Sequence, residues 1–248
     1  MRLSLWIKFC VVFSGSIFLT GDLLSQNDTQ SDSLNLKQNP YAIDIDGNGD
    51  LDALTDGLLI LRGMFGLTGE ALTSGAIGSN AIITDQADIE SRINNLGTLL
   101  DVDDDGNVDA LTDGLIILRY LFGLRDEPLV LGVISPDSQR SETSLIINYL
   151  ENLSAPLPEF SSSDYFEVEE NQKEIGLISV NYASDGPLTF SVSKDFLTIS
   201  QDGMLSFAEA PDYETRSLYE AVVTVSNGVI AATQNISISI IDVQEGMD

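Results

Sequence analysis

Two short runs of the chain carry residues able to hold a hard cation, and both runs have the same spacing. Asp44, Asp46 and Asn48 fall at positions 1, 3 and 5 of the first, Gly49 at 6, Asp50 at 7 and Asp52 at 9. Asp101, Asp103, Asp105, Gly106, Asn107 and Asp109 hold the same places in the second. Calcium takes six to eight oxygens at about 2.3–2.6 Å; a tightly turning loop supplies them from alternate residues, with a glycine at the bend and a backbone carbonyl at position 7. An ordinary loop of this kind closes with a carboxylate at position 12. Here that position is Thr55 or Thr112, and the acid comes one residue later, at Asp56 and Asp113. Both copies share the displacement, so Asp56 and Asp113 are the expected closing ligands. They would enter from the first turn of the following helix, near the positive end of its dipole. The competing reading is a pair of solvated Asp-rich turns that cap helices.

These loops belong to a longer duplication. DIDGNGDLDALTDGLLILRGMFGL (44–67) returns 57 residues later as DVDDDGNVDALTDGLIILRYLFGL (101–124), with 16 of 24 positions identical. A fainter echo follows, GEALTSGAIG (69–78) against DEPLVLGVIS (126–135), and each copy then enters an amphipathic segment, 85–96 and 141–153. Each unit therefore reads as an acidic loop, an apolar helix, a connector and a second helix. Leu58, Leu59, Ile60, Leu61, Met64, Phe65 and Leu67 leave almost no polar face, which predicts a helix buried nearly all round; Ile116, Ile117, Leu118, Leu121 and Phe122 repeat the pattern. Leu54 and Leu111 at the helix entries are expected in the core, and Arg62 and Arg119 are expected to offset nearby carboxylates.

Composition narrows the chemistry. With 39 Asp+Glu against 11 Lys+Arg, a net charge of -28, no histidine and one cysteine, the chain has no Ser-His-Asp triad, no imidazole metal site, no thiolate zinc or iron-sulfur site and no disulfide framework. Such acidity disfavours nucleic acid and anionic lipid and favours bound cations. A glycosidase is the enzymatic alternative, because paired carboxylates are plentiful. The acids nevertheless cluster in cation loops, and the only tryptophan is Trp6, so no aromatic sugar platform can be built from tryptophan and the chain is expected not to be an enzyme.

Residues 1–26 predict a secretory signal: Arg2 and Lys8 precede the apolar run FCVVFSGSIFL (9–19), too short to span a bilayer, with small residues at Gly21 and Ser25 where cleavage could follow. An uncleaved anchor is the alternative. Residues 27–40 are polar and aperiodic and read as a spacer. The expected location is secreted or cell surface, with no transmembrane segment once the signal is cleaved.

The duplicated region, residues 41–153, resembles the dockerin family, whose modules carry two calcium loops of the form DxNxDGxxNxxD, each followed by a helix with leucines and basic residues. The resemblance implies an all-α module of two loop-helix units related by a pseudo-twofold axis, with Ca2+ as the bound ion and a cohesin-like protein as partner. It places the contact at Ala53, Leu54 and Arg62 in one copy and Ala110, Leu111 and Arg119 in the other. The chain departs from the family in the shifted closing Asp, the added connector and second helix, and Ala-Leu where many dockerins carry hydroxyl residues.

After a Pro-rich linker (154–164) the periodicity changes from helical to alternating. Leu188, Phe190 and Val192 form one such run, Tyr219, Ala221, Val223 and Val225 another, and Ile236, Ile238 and Ile240 a third, with turn signals SDG, QDG and SNG between them. Short alternating strands of this kind predict an all-β sandwich. Residues 165–245 resemble a bacterial cadherin-like domain through YFEVEENQ, IGLISV, APDYET, YEAVVTVSNG and ISIIDVQE. That resemblance implies a Greek-key sandwich with weaker calcium positions at Glu170, Asp212, Glu214 and Asp242. The competing reading of those four acids is solvated surface charge. Two domains are thus expected, in an exported non-catalytic calcium-binding protein that mediates adhesion or assembly through a protein or a surface polysaccharide. The alternative is a dockerin-type scaffolding component of a polysaccharide-degrading system.

Overall fold

The computed structural model describes residues 41–184 and 186–244. The expected signal and spacer, residues 1–40, lie outside them. Among the described residues no helix is long and apolar enough to cross a membrane.

Each duplicated unit begins with its acidic loop and enters its helix through a single π-helical turn, Ala53–Gly57 in one copy and Ala110–Gly114 in the other. The i→i−5 bonds of these turns run from Gly57 N–H to the Asp52 carbonyl at 3.0 Å and from Gly114 N–H to the Asp109 carbonyl at 3.1 Å. A π turn accommodates one residue more than an α turn. The extra residue that displaces the closing acid from position 12 is therefore taken up in the helix entry, and Asp56 and Asp113 still face inward. Helices α1 (Leu58–Met64), α2 (Gly69–Thr73) and α3 (Gln86–Leu96) follow in the first unit, and α4 (Leu115–Leu121), α5 (Glu127–Val130) and α6 (Thr143–Leu153) in the second. The Asp85 carboxylate caps α3 by accepting the N–H groups of Ala87 and Asp88.

The two units pack reciprocally. A Cβ on Gly57 would lie 3.0 Å from the Leu118 side chain, and one on Gly114 would lie 2.8 Å from that of Leu61. Each π turn thus rests on the apolar helix of the other copy, and glycine permits the approach. Leu59, Ile60, Ile89, Ile93, Ile116, Ile117, Ile146, Leu150 and Leu153 share one buried cluster beneath this contact.

Three expectations change at the helices. Leu54 and Leu111 are not core residues: they are 65% and 64% exposed, because each π turn directs Ala53, Asp56 and Gly57, or their counterparts, inward and leaves the second residue outside. The apolar helices are not buried all round either, since Phe65 and Phe122 at their C-terminal ends are 55% and 54% exposed. Among the described residues neither Arg62 nor Arg119 forms an ion pair with a carboxylate. Arg62 donates to the carbonyls of Leu72 and Ser74 at 2.8 and 2.9 Å, and Arg119 to those of Leu129 and Leu131 at 3.2 and 3.0 Å. They tie down carbonyls at the C-terminal ends of α2 and α5.

The segment expected as a linker is packed. Ala155 is buried in the helical core, Pro156 pairs with Tyr41, and β1 (Glu159–Phe160) runs antiparallel to β4 (Val180–Asn181). Beyond it the chain is strand-rich. β2 (Tyr165–Glu169), β9 (Ala231–Ile241), β8 (Leu218–Ser226) and β5 (Thr189–Val192) form a four-stranded sheet in that order; β3 (Glu174–Leu177), β7 (Met204–Phe207) and β6 (Leu197–Ile199) form a three-stranded one. β2 pairs with β9 in parallel, and the other neighbours are antiparallel. Val168, Ala221, Val223, Ile236, Ile238 and Ile240 of the first sheet share a buried cluster with Leu197, Leu205 and Phe207 of the second, as the alternation requires of a sandwich.

The turn between β8 and β9 reaches the helical region. Ile230 is buried in the helical core, and the Asn227 Nδ2 donates to the Asn152 carbonyl and the Tyr182 hydroxyl at 3.0 and 2.9 Å.

Candidate metal centres

The first loop folds around its own carboxylates. Asp44 accepts the N–H groups of Gly47 and Asn48 on Oδ1 and that of Gly49 on Oδ2, at 2.8–3.1 Å. Asp46 Oδ2 accepts the N–H of Gly78 at 2.7 Å, which latches the connector onto the loop. Asp56 reaches back from the π turn to accept the N–H of Ile45 at 2.6 Å and that of Asp52 at 2.9 Å. Asp44, Asp46 and Asp56 are all fully buried, and one oxygen from each lies within 4.8 Å of the others. The displaced acid is therefore brought to the first and third loop positions, as its spacing predicts. Asn48 is half-buried and accepts the Asp50 N–H, whereas the side chains of Asp50 and Asp52 are exposed.

The second loop repeats this arrangement with one difference. Asp101, Asp103 and Asp105 bring their oxygens within 4.8 Å of one another. Asp113 is fully buried beside them and accepts the N–H groups of Val102, Asp103 and Asp109 at 2.7–3.2 Å. Asp103 Oδ2 accepts the Ser135 N–H at 2.8 Å, matching Asp46 with Gly78, while its Oδ1 is buried with no hydrogen-bond partner. Asn107 and Asp109 are exposed, and Asn107 donates to Asp105.

Electrostatics follow from this burial. Desolvation pushes Asp44 up, and it pushes Asp56 up to about 6, with the neighbouring loop acids adding to it and backbone N–H groups opposing it. Desolvation raises Asp103 and Asp113 in the same way. Asp105, bonded to the Ser135 side chain and to Asn107, is held low. Three buried like charges at this separation are costly without a cation to offset them. An all-oxygen donor set fits a hard divalent ion and not a soft one. The groups that could hold such an ion are Asp44, Asp46 and Asp56 in one loop and Asp101, Asp103 and Asp105, with Asp113 beside them, in the other.

A third group lies at the end of the sandwich remote from the helices. Glu170 follows β2 and is buried, and it brings an oxygen within 4.8 Å of Asp212 and Glu214, which lie on the β7–β8 connection. Glu170 accepts the N–H of Tyr213 at 3.1 Å and that of Val243 at 2.8 Å. Asp242 follows β9 and is exposed; desolvation and the neighbouring charges, that of Glu170 before that of Asp242, push Glu214 up. Asp212 is held low by its bond from the Thr215 hydroxyl.

The neighbours in known structure are cadherin extracellular domains. Human protocadherin-24 EC1-2 aligns with a TM-score of 0.32 at 20% identity, covering 34% of this chain and 43% of that one. Drosophila N-cadherin EC1-4 gives 0.33 at 22%, covering 36% and 26%, and the human desmocollin-1 ectodomain gives 0.31 at 23%, covering 36% and 22%. The chain spans less than half the length of each of these proteins. No protein-family model matches the chain, and no curated protein does.

Sequence reasoning missed two residues at the loops, Arg92 and Arg140. Each donates to a loop carbonyl from a position 39 or 48 residues further on. No local spacing signals a contact of that range.

Proposed function

We propose that this chain is a non-catalytic, calcium-binding extracellular protein that serves adhesion or assembly, with the two acidic loops as its cation sites. The observation that carries the reading is the set of three fully buried carboxylates, Asp44, Asp46 and Asp56, with oxygens within 4.8 Å. A solvated, helix-capping turn has no reason to bury all three. Calcium removes their repulsion and binds only the folded loop, so it stabilises the protein by mass action, about 2.7 kcal/mol at a hundredfold excess over Kd. Asp50 and Asn107 would add carbonyls, and Asn48, Asp52 and Asp109 side-chain oxygens. Thermal unfolding in calcium against chelator tests this: the midpoint should rise by several degrees with calcium, and identical midpoints would reject it.

The Glu170, Asp212, Glu214 and Asp242 group is proposed as a weaker site, because Asp212, Glu214 and Asp242 are exposed and water would have to complete the coordination. Export and a secreted or surface location accompany this reading.

One observation favours a second reading, a dockerin-type scaffolding component of a polysaccharide-degrading system. Leu54 and Leu111 are exposed at equivalent places of two reciprocally packed units, where the family resemblance puts contact with a cohesin-like partner. A surface polysaccharide is the other candidate partner. Pull-down with a cohesin module, using wild type and the Leu54→Asp, Leu111→Asp double variant, separates these readings. Capture of the wild type alone supports the scaffolding reading, and failure to capture either rejects it.

A further inference from the structure

The two loops carry a resident positive charge, delivered in each case by a different residue. Arg92, on α3, donates from Nη2 to the Asp44 carbonyl at 2.8 Å. The position 57 residues further on is Tyr149 on α6, and helices α3 and α6 occupy matching spans of the two units. The guanidinium in the second unit comes instead from Arg140, at the position that is Ile83 in the first. Arg140 lies 3.9 Å over the Tyr149 ring and donates to the Asp101 carbonyl at 3.3 Å and to the Val102 carbonyl. The neighbouring residues change with it. Gly47 faces Ile83 in the first unit, whereas Asp104 pairs with Arg140 at 4.0 Å in the second. Two dissimilar frameworks thus bring a guanidinium to the first carbonyl of the acidic loop.

Packing alone does not account for Arg92. Its Nε is buried with no hydrogen-bond partner, a cost that an apolar side chain would avoid. Burial pulls the guanidinium down, and the charges of Asp44, Asp56 and Asp46 oppose that. We infer that Arg92 and Arg140 are positioning residues, built-in counter-charges that hold each loop closed when no cation is present and set its affinity when one arrives. This inference rests on the cation reading of the loops. A fixed positive charge beside the carboxylates stabilises the empty site and repels the incoming ion, so it lowers affinity while lessening the dependence of the fold on calcium. The N–H groups of Gly47, Asn48 and Gly49 hold Asp44 whether or not the arginine is there, so the charge term decides the sign.

The test uses the full chain, with calcium titrated calorimetrically and thermal midpoints measured in chelator and in saturating calcium. Arg92→Gln keeps a donor and removes the charge. It should lower the midpoint more in chelator than in calcium and tighten calcium binding at one site by about threefold or more; Arg92→Lys should return both toward wild type. Arg140, which is partly exposed, supplies the second variant. Arg140→Ile should tighten its site likewise, and adding Tyr149→Arg, which moves the charge to the source used by the first unit, should reverse the change. Equal midpoint losses with and without calcium, or weaker binding in both Arg92→Gln and Arg140→Ile, would overturn the inference while leaving the cation reading intact. A wild-type chain that takes up no calcium would overturn both.

Discussion

The carboxylate of Asp56 accepts the backbone N–H of Ile45 at 2.6 Å, eleven residues earlier in the chain, and Asp113 does the same for Val102 at 2.7 Å. This bond closes each acidic loop from a residue one place beyond the ordinary register. It is possible because the π turn at Ala53–Gly57 absorbs the additional residue. Replacing Asp56 by Ala removes a charged acceptor from two N–H groups, worth about 1.5–3 kcal/mol. Calcium affinity at that loop should fall as well, by about tenfold to a hundredfold, because the ion loses a carboxylate ligand. Thr55→Val should change it by less than about threefold, since the Thr55 hydroxyl only grazes Asp56 at 3.4 Å. Direct titration of the two variants gives the ranking, and the reverse order would return the closing role to position 12.

Leu54 and Leu111 stand in solvent, so charge there should be tolerated by the fold. Leu54→Asp and Leu111→Asp, singly or together, should leave stability within about 0.5 kcal/mol. Circular dichroism melts check this. A loss of several kcal/mol in either single variant would mean that the side chain is interior.

Asp56 also sets a pH dependence. Its folded value of about 6 is raised above the ordinary 3.8, so in the ion-free protein the group costs stability above about pH 6 and costs nothing below about pH 4. Chelated protein should therefore gain stability from this group as pH falls from about 6 to about 4, by up to about 3 kcal/mol. Calcium binding should weaken over the same window, because protons compete for the carboxylate. Melts across this range with and without calcium should show opposite trends. Parallel curves would contradict the assignment.

The helical and strand regions meet at Ile230, which belongs to the helical core although it lies between β8 and β9. Ile230→Ala should cost about 2–4 kcal/mol and shift unfolding of the helical part as well as the sandwich. Denaturation followed by tryptic accessibility of each region reads this. Unchanged resistance of residues 41–153 would show that the contact contributes nothing to them.

Much of this organisation is legible in the sequence. The duplication and the Asp spacing locate both loops, and the alternation of Tyr219 to Val225 and of Ile236 to Ile240 locates β8 and β9, because periodicity and ligand spacing are local properties. The exposure of Leu54 was not legible: a helix entered through a π turn shifts the phase of its first residues relative to the α pattern from which burial is inferred. Arg62, Arg92, Arg119 and Arg140 were misjudged or missed for a different reason. Each bonds to backbone carbonyls 10 to 48 residues away, and side-chain to carbonyl contacts leave no pattern in composition. The packed segment around Ala155 and Pro156 likewise reads as a linker until the helical core beneath it is seen.

The measurement that bears most directly on the whole account is calorimetric titration of the full chain with calcium, beside a variant carrying Asp44→Ala and Asp101→Ala. The account predicts two sites in the wild type, tighter than any third site at Glu170, and the loss of both in the double variant with the sandwich still folded. No heat in the wild type, or uptake of two ions that survives the double replacement, would contradict it.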